Sequence, residues 1–346
     1  MKNTGDVTLL RQQNKPDQFV MAQYSQALLA AYMEQGGELE QLASSLGVST
    51  GELCQPTGKI SVDHYLALIR QAKAISGDAF LGLHIGKHQQ AATFSVLGKA
   101  MLKANTLGVA LQQVLPLEGL VHTLGHSEVL REPGAVRFVW HCHYQLHPQA
   151  RDVVESVLAG IIHFAKQLAG RPIPVLASTF VHEQPKVASL TAYRQICHSS
   201  CHFSQSQNSI LVADEVLAWP NKMGQQHAPH EPETSPANTT LSQKVTHFLE
   251  ERLAQGNPPL KEVAAQYHLT LRTFQRRLDR EGTQYIQILN EVRRRLAKDY
   301  LLYSTMNTLQ ISQMLGFKEQ SSFNHFFSEN LNMTPTEFRR CGKEKS

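Results

Sequence analysis

Arg272, Gln275, Arg276 and Arg277 are side chains of the types that read nucleic acid. A guanidinium donates two parallel hydrogen bonds to a guanine edge, and a carboxamide pairs both ways with adenine. Such groups work only if a helix holds them on one face. The chain supplies that helix from Leu271 onward, with Phe274 and Leu278 pointing inward and Thr270 placed as its N-cap. Upstream, Leu260, Val263, Ala264 and Tyr267 fall at i, i+3, i+4 and i+7, one apolar face of a shorter helix. His268-Leu269-Thr270 is the turn between them. The spacing therefore predicts a helix-turn-helix whose second helix offers Arg272, Gln275 and Arg276 to base edges and Arg277, with Thr270, to phosphate.

The plan repeats 48 positions later, taking Ala264 to Ser312 (312 − 264). Ile311 and Leu315 supply the buried face, and a small residue at 264 and 312 lets the helices cross closely. Gly316 suits a left-handed position before the turn. Phe323, Phe326 and Phe327 mark the apolar side of the next helix, leaving Gln320, Ser321, Asn324 and His325 as its expected readers. Arg339 and Arg340, further on, are expected at phosphates. Tyr285 to Tyr303 reads as the helix joining the two units, with Ile288, Leu289, Val292, Leu296 and Leu301 able to bury against both.

These residues carry a resemblance. The region is similar to the DNA-binding domain of the AraC/XylS family of bacterial transcription regulators, most specifically in Leu315-Gly-Phe-Lys-Glu-Gln-Ser-Ser-Phe-Asn-His-Phe-Phe327 and Thr334-Pro-Thr-Glu-Phe-Arg339. It departs from the family pattern at His268, where Gly is common, and at His325, where Arg is frequent. The first departure implies a strained turn, the second a weaker grip on DNA by the second unit.

Charge supports this placement. Of the 33 Lys+Arg and 29 Asp+Glu in the chain, Asn238 to Ser346 holds 16 and 11, a net of +5; the rest holds 33 − 16 = 17 and 29 − 11 = 18, a net of −1. Phosphate neutralisation needs the positive field where the helix-turn-helix units lie. At 346 residues, 42% hydrophobic and 18% charged, the chain is expected to build two or three packed domains. No apolar run approaches the roughly 20 residues of a membrane helix, so no membrane partner is expected. Met1-Lys-Asn-Thr-Gly-Asp lacks a signal-peptide pattern, and five cysteines without a framework fit reduced thiols, so the expected location is cytoplasmic.

Ahead of the basic domain the pattern is mixed. The first dozen residues are polar. Helices are expected over Gln18 to Gln35 (with Tyr24, Leu28 and Ala31 inward), Glu38 to Val48 ending at Gly47, from Ser61 as a cap, from Asp78 to Gly86, from Ser95 to Leu102, from Thr106 to Leu115, from Gln149 to Leu168 and from Ser189 to Cys197. Val129 to Trp140 reads as two strands around Pro133-Gly134, and Pro174 to Val181 and Ser209 to Val212 as further strands. The fold class expected is an α+β N-terminal domain, helices with a small, largely antiparallel sheet, followed by an all-α C-terminal domain with two helix-turn-helix subdomains joined by a long helix. Gly77-Asp-Ala-Phe-Leu-Gly-Leu83, Leu97-Gly-Lys-Ala100 and Thr106-Leu-Gly-Val-Ala110 resemble the arabinose-binding-like N-terminal domain of some AraC-type regulators, found in an ornithine-utilisation regulator. The resemblance implies an effector domain without implying arabinose. Pro220 to Thr239 carries four prolines and reads as a linker, dividing the chain into 1–219, 220–239 and 240–346.

Other chemistry competes weakly. Trp140-His-Cys-His143 with His147, and Cys197-His-Ser-Ser-Cys-His202, suggest a metal- or haem-responsive alternative, but no Cys/His spacing completes a zinc pattern. No phosphate loop, HExxH or Gly-x-Ser-x-Gly supports an enzyme with an appended DNA-binding domain. The expectation is a non-enzymatic, sequence-specific regulator without cofactor or metal. Its expected partners are double-stranded promoter DNA, a small-molecule effector, a second copy of itself and RNA polymerase.

Overall fold

The computed structural model describes residues 18–54, 58–90, 97–98, 101–102, 104–187, 190–223 and 240–343. The polar start of the chain and most of the expected linker lie outside these residues, as does part of the helix expected from Ser95 to Leu102. The helices are α1 (Gln23–Glu34), α2 (Leu39–Leu46), α3 (Thr50–Cys54), α4 (Val62–Ser76), α5 (Leu81–His88), α6 (Leu107–Val114), α7 (Ala150–Ala169), α8 (Thr191–Cys197), α9 (Leu241–Arg252), α10 (Leu260–Gln266), α11 (Leu271–Arg280), α12 (Tyr285–Tyr303), α13 (Thr308–Met314), α14 (Gln320–Leu331) and α15 (Pro335–Lys343). The strands are β1 (Phe19–Met21), β2 (Lys59–Ser61), β3 (Gly125–Glu132), β4 (Ala135–Cys142), β5 (Val175–Thr179), β6 (Ser200–His202) and β7 (Asn208–Ala213).

The chain divides into two compact units, neither continuous in sequence. One draws on Met1–Gln89, Val121–His163 and Pro174–Val212, the other on Gln90–Leu120, Phe164–Ile173 and Ala213–Ser346.

In the first unit, α1 buries the stripe Tyr24, Leu28 and Ala31 that its periodicity announced. Its sheet runs β3-β4-β7-β5-β6. β3 and β4 form the expected hairpin, with Gly134 at φ 71 in the turn. β5 lies antiparallel to β7 but parallel to β6. The short β1–β2 pair and β6 were not foreseen, because three-residue strands carry too little alternation to register. Two glycines bring α5 against α7: a Cβ on Gly82 would meet the Asp152 carbonyl at 2.5 Å, and one on Gly86 the Ala159 Cβ at 2.5 Å. Only a residue without a side chain allows that approach. It sets the first turns of α7, where Arg151, Asp152 and Glu155 lie.

In the second unit, Thr106 caps α6 by accepting from Val109 N, and the strand-like contact between Thr106 and Pro220 closes that segment. Asn221 is buried, its Nδ2 donating to the Met101 and Ala104 carbonyls at 2.7 and 2.9 Å. The expected linker is thus fastened at its first residues. Leu115–Leu120, a 3-10 turn, lies against the end of α12: Thr305 N donates to the Pro116 carbonyl at 3.2 Å, and a Cβ on Gly119 would fall 2.1 Å from the Tyr303 carbonyl.

Candidate nucleic-acid interface

The first helix-turn-helix forms because α10 and α11 share one apolar core. Val263, Ala264, Phe274 and Leu278 are buried with Val245, Leu249, Ile288, Leu289 and Val292. Tyr267 stacks on Phe274 with centroids 6.4 Å apart, and its hydroxyl donates to the Lys244 carbonyl at 2.8 Å. Thr270 caps α11 as expected, accepting from Thr273 N at 3.3 Å. The Glu281 carboxylate, at the far end of α11, accepts from Leu241 N and Ser242 N and so ties down the start of α9. This fixed core leaves Thr270, Arg272, Gln275, Arg276 and Arg277 exposed. Arg272, Arg276 and Arg277 make no ion pair among the described residues, so their charge faces solvent without a carboxylate to neutralise it.

The two turns match in their hydrogen bonds. His268 N donates to the Ala265 carbonyl and Leu269 N to that of Ala264; Gly316 N donates to Gln313 and Phe317 N to Ser312. His268 sits at φ 54 and Gly316 at φ 70. Glycine adopts that left-handed geometry freely, whereas histidine carries strain there. The departure noted at His268 is therefore a real cost in the backbone.

Beyond the turn the repeat slips by one residue. The N-cap moves from Thr270 to Glu319 and the buried aromatics from Phe274 to Phe323, both 49 positions (319 − 270; 323 − 274), although Ala264 to Ser312 is 48. Ser321, Asn324 and His325 thus occupy the positions of Arg272, Gln275 and Arg276. The exposure expected for this helix needs correcting. Ser321 and His325 are exposed, but Gln320 and Asn324 are half-buried, and Asn324 Oδ1 is shielded without a hydrogen-bond partner. His325 lies 3.4 Å from Glu329, and Ser321 Oγ donates to Glu319 at 3.1 Å. The α14 sequence, Gln320 to Leu331, contains no Lys or Arg.

Two arginines hold the second unit on α12. Arg293 is buried; its Nε donates to the Leu315 carbonyl at 2.9 Å and its NH2 to that of Gly316 at 3.2 Å, with the guanidinium 4.2 Å over Phe317. Carbonyls at the end of α13 carry partial negative charge, which offsets that of the buried cation. The sequence reading missed this residue, although Leu289, Val292 and Leu296 place position 293 on the inward face. Arg339 does similar work: its Nε donates to the Leu301 carbonyl at 3.1 Å and its NH2 to that of Met306 at 2.6 Å. A half-buried guanidinium that donates to two carbonyls is a brace for α15, a role not expected for it. Arg340 is exposed.

The histidine and cysteine clusters take ordinary partners. His141 and His143 lie on one side of β4, as alternation requires, but His141 pairs with Glu128 at 3.0 Å while His143 meets the Thr123 carbonyl and His126. Cys197 is buried, with its thiol pushed up by the Cys201 hydrogen bond and by burial. Among the described residues no three His, Cys, Asp or Glu side chains are arranged to hold a metal ion. No described helix is long and apolar enough to cross a membrane.

Two helix-turn-helix units on one connecting helix, in a chain that also carries an α+β domain, define a DNA-binding transcription regulator rather than an enzyme. Residues 36–221 match the family described as the arabinose-binding domain of AraC transcription regulators, N-terminal, and residues 250–341 match a helix-turn-helix domain family. The chain belongs to the AraC family of transcription regulators. It is 25% identical over 332 residues to the Ornithine utilization regulator of Pseudomonas aeruginosa, covering 94% of this chain and 97% of that one. Over 105 residues it is 36% identical to the Urease operon transcriptional activator of Escherichia coli, covering 30% of this chain and 35% of that one. The crystal structure of the transcriptional regulator CdpR from Pseudomonas aeruginosa aligns over 87% of this chain and 96% of that one, at 19% identity and a TM-score of 0.39.

Proposed function

We propose that this regulator reads promoter DNA chiefly through α11. Arg272, Gln275 and Arg276 contact base edges in one major-groove segment, while Ser321, Asn324 and His325, with Gln320 at the helix start, face a second segment about one helical turn away. Thr270, Arg277 and Arg340 contact phosphates. The observation that carries this reading is the cluster of exposed, unneutralised arginines on the second helix of the first unit. The protein acts in the cytoplasm as a homodimer with an effector bound in the N-terminal half and contacts RNA polymerase at its promoter. Two copies let one DNA-binding domain per chain occupy paired half-sites, raising affinity through effective concentration. Residues 1–219 serve as the sensing and dimerising part, 220–239 as the connection and 240–346 as the DNA-binding part.

Selection of bound duplexes from a random pool by the full-length chain tests the reading. Enrichment of a bipartite motif, lost in Arg276→Ala and kept in Lys343→Ala, is the expected result. A pool with no enriched motif, or one unchanged by Arg276→Ala, overturns the assignment. Light scattering on the full chain decides the dimer.

A further inference from the structure

The first unit holds a group of ionisable side chains that DNA recognition does not use. Glu155, on α7, is fully buried. Its Oε1 accepts from Arg151 Nε at 2.6 Å and from the Tyr193 hydroxyl, while its Oε2 is shielded from solvent with no partner. His182 lies beside it, Nε2 3.6 Å from Oε1 and likewise without a hydrogen bond. His182 Nδ1 meets the Glu183 carbonyl at 2.9 Å, and a carbonyl can only accept. Nδ1 therefore carries the proton, and Nε2 of the neutral ring is an acceptor. Glu155 Oε2, when ionised, and His182 Nε2 are thus two neighbouring buried acceptors without a donor, and an unpaired buried polar atom is costly.

Aromatic rings pack around His182 and Tyr193. Phe180 and Phe203 stack at 5.5 Å, Tyr193 meets Phe203 edge-on at 5.1 Å, and His182 lies 5.6 Å from Phe203. Phe180 and Tyr193 are buried, whereas Phe203 and Arg151 are half-exposed, so the group is closed at its base and reaches solvent on one side. Charge is also incomplete. Lys73 pairs with Asp152 at 2.6 Å and Arg151 with Glu155, while Asp78 pairs with His84 at 2.7 Å. Two fixed cations, Lys73 and Arg151, stand against three carboxylates, Asp78, Asp152 and Glu155, a balance of 2 − 3 = −1 once Glu155 is ionised and with the histidines neutral.

We propose that Glu155 and His182, walled by Phe180, Tyr193 and Phe203, form the effector site, and that the effector carries a protonated amine. An ammonium supplies several donors at once and the missing positive charge, and aromatic faces attract it. A neutral hydroxyl gives one donor and leaves the charge uncompensated. Gly82 is part of the packing: a Cβ there would meet the Glu155 Cβ at 2.9 Å, so α5 lies directly against the base of this side chain. The inference rests on the reading of this half as a ligand-binding domain.

Calorimetry on the full-length chain with 1,4-diaminobutane, against 1,4-butanediol as its neutral counterpart, tests it. The diamine is expected to bind saturably and the diol at least about tenfold more weakly, the loss of one or more charge-assisted hydrogen bonds. Glu155→Gln should weaken the diamine by about the same factor while DNA binding is retained. Because Glu155→Gln leaves Arg151 without its carboxylate and can disturb folding, Phe203→Leu, at a half-exposed ring, provides a second variant and should weaken the diamine alone. Saturable binding of diamine and diol with equal affinity, or a well-folded Glu155→Gln that binds diamine like the parent, overturns the proposal. So does a parent chain that binds its DNA but no amine, an outcome that leaves the regulator reading intact; a chain that binds amine but no DNA does the opposite.

Discussion

Arg276 and Arg339 look alike in sequence, two basic residues on helices of one DNA-binding domain, and the structure separates them. Arg276→Ala removes an exposed guanidinium with no intramolecular partner, so stability should stay within about 0.5 kcal/mol of the parent. A lost bidentate base contact should cost about 1–3 kcal/mol of discrimination, roughly five- to a hundredfold in specific affinity at fixed salt. Arg339→Ala removes two charge-assisted hydrogen bonds, to the Leu301 and Met306 carbonyls. Discounted for partial solvent exposure, that loss is about 1–2 kcal/mol of domain stability. Affinity for target and random DNA should fall together, because what changes is the docking of α15 rather than a contact with bases. Urea unfolding and fluorescence anisotropy with specific and scrambled duplexes, over a salt series, measure both. An Arg339→Ala chain of unchanged stability whose salt dependence drops by about one phosphate contact would return Arg339 to the DNA and refute the brace.

Arg293→Met leaves two carbonyls at the end of α13 without their donor, so specific affinity should drop severalfold although residue 293 faces away from DNA; unchanged affinity with unchanged stability would sink the claim that it holds the second unit in place. His268→Gly should raise the urea midpoint by relieving the left-handed strain at φ 54, whereas Gly316→Ala, which adds strain and sets a Cβ 2.9 Å from Asn257 N, should lower it; equal responses at the two turns would contradict their shared geometry. Burial raises the Glu155 carboxyl to about 7 against an ordinary 4.5, with Arg151 and Tyr193 opposing the rise and Asp152 adding to it. The folded chain thus holds a proton the unfolded chain has lost, and this group's contribution to stability declines as pH climbs from about 4.5 to about 7. His182, whose affinity for protons burial lowers, acts in the opposite direction. Comparing melting of the parent and Glu155→Gln across that range isolates the carboxyl, and parallel pH profiles would argue against its burial. Gly119→Ala should disturb the packing of Leu115–Leu120 on the end of α12, visible as faster amide exchange at Thr305, whose N–H otherwise donates to Pro116.

The helix-turn-helix units were legible because their information is local. A cap at Thr270, inward Phe274 and Leu278, and a repeated small residue at 264 and 312 each declare themselves within one or two turns of helix. The same reading stumbled where geometry depends on distant chain. The second turn is one residue longer than the first, which a count anchored on Ala264 does not show, and Gln320 and Asn324 are half-buried although their counterparts Leu271 and Gln275 are exposed. Arg339 looked like a phosphate ligand because nothing near it in sequence says that Leu301 and Met306 end with open carbonyls beside it. The Glu155 group was missed altogether, since its members come from residues 73 to 203 and none is unusual alone. Of the glycines that bring α5 onto α7, Gly82 lies in the phrase that resembles the family and Gly86 ends the helix expected from Asp78; their spacing of four is the available hint of close helix packing.

The charge distribution makes the two reading helices unequal. α11 exposes Arg272, Arg276, Arg277 and Arg280, while α14 has no Lys or Arg, and its His325 leans toward Glu329. Left to itself, α14 would gain little from phosphates and only modest energy from Ser321, Asn324 and His325. Its usefulness depends on being delivered to the groove already oriented, so that few degrees of freedom remain to be lost on binding. The brace residues fit that requirement. Arg293 fixes the turn of the second unit to α12, and Arg339 fixes α15 to the end of the same helix, whose other half is buried with Phe274 and Leu278 in the core of the first unit. Affinity can then come mainly from α11, while discrimination over a longer site comes from a weakly attractive second helix whose position is set by the scaffold. With histidine rather than arginine at position 325, recognition is expected to depend on both units being engaged together.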